Sequence, residues 1–212
     1  MADGFSAVAR VFSAAIAAAA WTGVGVQFAV SATAAGSGWA AAWNLLLFFT
    51  IITNLALAVT FTGIALARPG FAAPVLLGGV TLSIVLVGIV YSLLLAGTVV
   101  LVGGAIFANV MMHYIVPIVA PLFWLAYTPK GRLRTRDPLI WSIYPLSYLV
   151  YALVRGGIGG HYPYPFIDVG RIGWAATAIN ATGIAAGFLL AGYLMVWLDR
   201  RLAEAPGSAS AV

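Results

Sequence analysis

Six apolar stretches, each long enough to cross a bilayer, constrain this chain more than any other feature of its sequence. They run over residues 8–31, 41–66, 73–97, 104–127, 138–155 and 172–199. A membrane-spanning helix needs about 20 largely apolar residues, and the strand of a membrane barrel would instead alternate over about ten. The breaks between stretches carry turn chemistry: Gly36-Ser37-Gly38, Arg68-Pro69-Gly70, Gly103-Gly104, the run from Thr128 to Pro138, and Gly156 to Gly170. The expected fold is therefore all-α: one six-helix transmembrane domain over residues 1–203, followed by a flexible tail over 204–212. With only 7% charged residues, the chain could not cover a soluble surface. A nucleic-acid module and a cytosolic enzyme are excluded as readings of the whole chain.

The few charges set an orientation. If the spans alternate, Arg10, Arg68, Lys130, Arg132, Arg134, Arg136, Arg200 and Arg201 share one side, and only Arg155 and Arg171 lie on the other. Basic residues favour the cytoplasmic face, so both termini are expected there, in a multi-pass plasma-membrane protein. The first stretch also has features of a cleavable signal peptide, with small residues at Ala32-Thr33-Ala34. Its excess length, with Trp21 and Gln27 inside it, favours retention.

Polar groups at membrane depth are costly unless they have a partner or a task. Thr50, Thr53 and Asn54 occupy the second span, Asn109 and His113 the fourth, Ser147, Tyr148 and Tyr151 the fifth, and Asn180 the sixth. At about 1.5 Å per residue, Thr50 and His113 both lie roughly 14 Å from the outer ends of their helices, and Asn180 roughly 12 Å. Thr50 and Asn54 share a helix face, as do Asn109 and His113. Pro117 has no N–H to offer the carbonyl of His113, which predicts a kink just below the histidine.

A hydroxyl becomes a useful nucleophile when an adjacent base takes its proton. A Thr50–His113 dyad in a lipid-embedded bundle suits an acyl substrate drawn from the membrane. Asn54, Asn109 and Asn180 are candidates to orient the histidine or to donate to an oxyanion. Other chemistries lack their residues. The only lysine, Lys130, is in a loop, so no retinal Schiff base is available. There is one intramembrane histidine where a bis-histidine haem needs two, no deep carboxylate for a paired-acid protease, and no cysteine. No cofactor and no metal site is expected. Gly36-Ser37-Gly38 lacks the strand–turn–helix setting of a serine-hydrolase elbow and reads as a turn.

The loop from Arg155 to Arg171 contains two Tyr-Pro steps, which favour extended or turn backbone. Its aromatic rings read as an interfacial anchor. The alternative is a lid on which Arg155 or Arg171 holds a substrate carboxylate, with Asp168 pairing one of those arginines.

Three segments together resemble the androgen-induced-gene family of six-span membrane proteins, which has bacterial and animal members. They are Trp43 to Asn54 (WNLLLFFTIITN), Asn109-Val-Met-Met-His113-Tyr-Ile-Val-Pro117, and Tyr164-Pro165-Phe166-x-Asp168 in the outer loop. Animal members hydrolyse fatty acid esters of hydroxy fatty acids with an intramembrane threonine and histidine. By motif, the resemblance carries those roles to Thr50 and His113, with Thr53 a local competitor for the nucleophile. Where some animal members have an acidic residue nearby, this chain has Thr53-Asn54. The resemblance implies a membrane lipid or fatty acid ester as substrate; Tyr148, Arg155, Tyr164 and Arg171 are further candidate supporting residues. A non-enzymatic binder or transporter of a small amphiphile would use the same polar pocket. A third expectation is a packing or partner-binding role alone.

Overall fold

A computed structural model describes residues 5–203; the tail expected over 204–212 lies outside the described residues. Every regular element among them is helical. In chain order these are α1 (Ala7–Ala35), α2 (Gly38–Leu45), α3 (Phe49–Ala65), α4 (Pro74–Val90), α5 (Gly104–Val110), α6 (Val116–Tyr127), α7 (Asp137–Gly159) and α8 (Val169–Ala203). A π turn over Tyr91–Leu95 continues α4, another over Met111–Ile115 joins α5 to α6, and a 3-10 turn over Pro165–Ile167 precedes α8.

Local chemistry explains several boundaries. The Ser6 hydroxyl accepts from Ala9 N at 3.2 Å and opens α1. Gly36, at φ 65°, closes that helix in the left-handed conformation. Ser37 then caps α2 by accepting from Ala40 N at 3.3 Å, so the Gly-Ser-Gly motif is a turn between helices.

Four helical segments are long and apolar enough to cross a membrane: Ala7–Ala35, Pro74–Leu95, Gly104–Tyr127 and Val169–Ala203. The pair α2 and α3 makes a fifth if counted as one bent span. Two sequence expectations change here. The stretch 41–66 is broken, with α2 and α3 meeting at 95°. The fifth stretch does form a 23-residue helix, α7, but its serines, tyrosines and prolines leave it outside that apolar set. In the fourth stretch, a candidate span as a whole, the irregularity expected below the histidine takes the form of the π turn, with Val116 N bonded to Met111 O. The five-residue step absorbs the irregularity that Pro117 imposes.

Phe61, Leu57, Leu77, Ile84 and Val116 are fully buried at the helix contacts. Outward-facing positions are also apolar: Val11, Leu93, Ile143 and Leu190 are 62–76% exposed. Contacts between helix ends fix the directions of the chain. Arg10 Nε donates to Ala65 O at 2.9 Å, bringing the start of α1 to the end of α3. Phe12 meets Tyr127 at 5.6 Å, Trp141 Nε1 donates to Val75 O at 2.7 Å, and Leu133 N donates to Asp199 Oδ2 at 2.8 Å. The starts of α1, α4 and α7 and the ends of α3, α6 and α8 therefore share one end, together with Arg10 and the basic run 130–136. At that end Lys130 bonds the carbonyls of Trp124 and Thr128 and lies over the Trp124 ring. Burial lowers its pKa below the ordinary lysine value, and nearby Asp199 works against that shift.

Candidate functional site

The break between α2 and α3 creates the site. No glycine or proline occurs in it; the sequence Leu45-Leu-Leu-Phe-Phe-Thr50 would continue a helix on propensity alone. Donors from α7 take the carbonyls that the break leaves open. Tyr148 Oη donates to Leu47 O at 2.8 Å and Tyr151 Oη to Leu46 O at 3.1 Å. Arg155 bonds Trp43 O and, at 2.6 Å, Tyr151 Oη, with its guanidinium 4.0 Å over the Trp43 ring. The chain then restarts at Phe48, which is extended (φ −93°, ψ 128°) and gives no side-chain cap. Thr50 is thus the second residue of a new helix, among the amides that lack an intrahelical acceptor.

Thr50 is buried, and its Oγ1 lies 3.4 Å from His113 Nε2. The other ring nitrogen, Nδ1, lies 3.2 Å from Asn109 O. A carbonyl only accepts, so Nδ1 carries the hydrogen of the neutral ring and Nε2 presents its lone pair to Thr50. The 3.4 Å separation is long for a hydrogen bond, as is common for catalytic pairs without substrate. The histidine sits in the π turn, and its ring stacks on Tyr91 with centroids 3.9 Å apart and planes 26° apart. Behind it, a Cβ on Gly88 would stand 2.7 Å from Pro117 Cβ and 3.4 Å from His113 O, so α4 approaches this turn closely.

The two threonines separate cleanly. Thr53 Oγ1 pairs with Tyr144 Oη at 2.9 Å, away from the imidazole. Asn54 is fully buried; its Nδ2 donates to Thr50 O at 2.9 Å, and its Oδ1 has no partner. Asn109 orients the histidine through its backbone carbonyl rather than its amide side chain. Asn180 is not at the dyad: its Nδ2 donates to Phe166 O at 3.0 Å and ties the outer loop to α8.

That loop is folded inward rather than spread as an anchor. Tyr164 and Phe166 stack at 5.1 Å with planes 4° apart, and Ile167 is buried. Tyr164 Oη accepts from Thr50 N at 3.4 Å. Asp168 does not use this oxygen on an arginine side chain: its Oδ1 accepts from Arg171 N at 3.1 Å and caps α8. The Arg171 side chain is exposed, and Arg155 is engaged with Trp43 and Tyr151, so neither expected carboxylate clamp is assembled over the dyad.

Thr50 lines a largely apolar cavity together with Ser142, Tyr148 and Tyr164. Val87, Tyr91, Leu149, Phe166, Ile184 and Phe188 are among its lining residues. Counting its open mouth, the space not filled by atoms is about 810 Å³. His113 forms part of a second, shallower groove with Gly88, Ile89, Ser92, Leu93 and Tyr114. Among the described residues, no group of three or more His, Cys, Asp or Glu is placed to hold a metal ion. Sequence reasoning missed Tyr91; a lone tyrosine near a helix end looks like an interfacial ring. No protein-family model, curated protein or solved structure matches this chain.

Proposed function

We propose that this chain is a membrane-embedded hydrolase of lipid esters, with Thr50 as nucleophile and His113 as general base. The observation that carries this reading is the 3.4 Å approach of Thr50 Oγ1 to the unprotonated Nε2, beside an apolar cavity. In the first half-reaction, Thr50 Oγ1 attacks the ester carbonyl carbon and its proton passes to His113 Nε2. The tetrahedral adduct collapses, the alcohol oxygen leaves with that proton, and the acyl group remains on Thr50. Water then attacks the acyl-threonine, giving a proton to His113; collapse releases the fatty acid and returns the proton to Thr50. The Tyr164 hydroxyl, beside the Thr50 amide, is a candidate to stabilise the oxyanion.

The substrate class rests on the resemblance to the androgen-induced-gene family, which suggests fatty acid esters of hydroxy fatty acids. The cavity's apolar lining supports a long acyl chain. We further propose six spans, with α7 completing the set, and both termini in the cytoplasm of a bacterial plasma membrane. Support comes from the shared end of Arg10 and the 130–136 run, and from exposed Trp39, Trp43 and Trp174 toward the opposite end.

Purified wild-type protein should turn over a fatty-acyl ester of a hydroxy fatty acid and label with a fluorophosphonate. Thr50→Ala and His113→Ala should each lose turnover by about 10²–10⁴-fold. Full activity in both folded variants would refute the dyad. A second reading, passive binding of an amphiphile, is favoured by the cavity itself; saturable fatty-acid binding without turnover by the wild type would select it.

A further inference from the structure

Two π turns face each other across the site, one in the continuation of α4 and one between α5 and α6. Such turns are rare, and an i→i+5 bond carries side chains off the face that a regular helix would give them. The first is closed by Ala96 N donating to Tyr91 O at 2.8 Å, the second by Val116 N to Met111 O. Their first and third residues, Tyr91 and His113, are the two stacked rings.

The histidine needs this second constraint. Its bond to Asn109 O fixes one ring atom at 3.2 Å and leaves the imidazole free to pivot about that contact. Terminal ring torsions are broad, so covalent geometry does not choose the plane. Tyr91 does so by lying 26° from parallel at 3.9 Å. Tyr91 is itself held edge-to-face by Tyr114, at 5.7 Å and 86°. Its ring also lines the cavity that Thr50 enters, so it stands at the junction of base and substrate space.

We propose that Tyr91 is the positioning residue of the dyad: its ring holds the plane of His113 so that Nε2 stays aimed at Thr50. Its π face also receives the imidazolium that forms transiently in each half-reaction. The inference rests on the hydrolase reading. It requires the aromatic face and not the phenolic hydroxyl.

The test is steady-state hydrolysis of a fatty-acyl hydroxy-fatty-acid ester by detergent-purified full-length protein. The set is wild type, Tyr91→Phe, Tyr91→Leu, Tyr91→Met and Thr50→Ala. Loss of ring alignment should lower kcat roughly 10–100-fold in the Leu and Met variants, with KM within about 2-fold of wild type. Tyr91→Phe should restore kcat to within about 2-fold, because the stacked face is retained. Two variants of different shape keep the comparison open if one fails to fold. Unchanged kcat in folded Tyr91→Leu or Tyr91→Met, with Thr50→Ala inactive, would overturn the role of Tyr91 and leave the dyad standing. A Tyr91→Phe defect equal to that of Tyr91→Leu would overturn the aromatic-face argument. Absence of turnover in wild type would overturn both.

Discussion

Thr50 and Thr53 are one helical turn apart, and their partners give them different prospects. Thr50 faces a nitrogen lone pair, while Thr53 shares its hydroxyl with Tyr144. Thr53→Val should therefore keep turnover within about 3-fold of wild type while lowering stability by about 1–3 kcal/mol, since a half-buried Tyr144 hydroxyl loses its partner. Activity assays paired with thermal unfolding in detergent check both halves. A Thr53→Val variant as inactive as Thr50→Ala would exchange the two assignments. The pairing of Thr50 with His113 was legible in the sequence because polar groups inside apolar spans are few and each must be accounted for. The contribution of Asn109 was legible only as spacing: four residues place it on the histidine's face, but the acting group is its carbonyl, which every residue possesses.

At the scale of elements, the 95° break before α3 is the feature the sequence concealed most completely. Residues 45–50 contain no helix breaker, and the groups that stabilise the break come from α7, about a hundred positions later. Local propensity cannot register such a partner. Tyr148→Phe tests the arrangement directly. It leaves Leu47 O without its donor, and the expected loss is about 1–3 kcal/mol of stability. Faster hydrogen exchange at the start of α3 should accompany it. Unchanged exchange over residues 46–52 would show that the break does not depend on this bond. The π turns were equally hidden, because no residue pattern encodes an extra residue in a turn. Pro117 signalled an irregularity there but not its form.

At the scale of the whole molecule, the long apolar stretches were readable from composition alone, and most helices fall close to the ranges read from the sequence. The chain has no cysteine, so single cysteines can map its sidedness on an otherwise unreactive background. Ala35→Cys should react with a membrane-impermeant maleimide applied outside intact cells, and Thr135→Cys only after the membrane is opened or inverted. The reverse pattern would invert the proposed orientation. Reaction of both from one side would remove the odd number of crossings that six spans place between them.

On the hydrolase reading, the bent pair α2 and α3 also bears on the fate of an acylated Thr50. Its 17-residue lower segment, Phe49–Ala65, covers only about 25 Å, less than the roughly 30 Å of hydrocarbon in a typical bilayer. On the six-span reading, the start of α3 would then lie recessed beneath α2 and the folded loop rather than under another turn of its own helix. An acyl-threonine there meets whichever hydroxyl compound enters beneath that roof first. Water entry gives hydrolysis, whereas a lipid alcohol arriving sideways gives transacylation. The ratio of free acid to new ester would then depend on how tightly the roof closes, with the dyad itself unchanged.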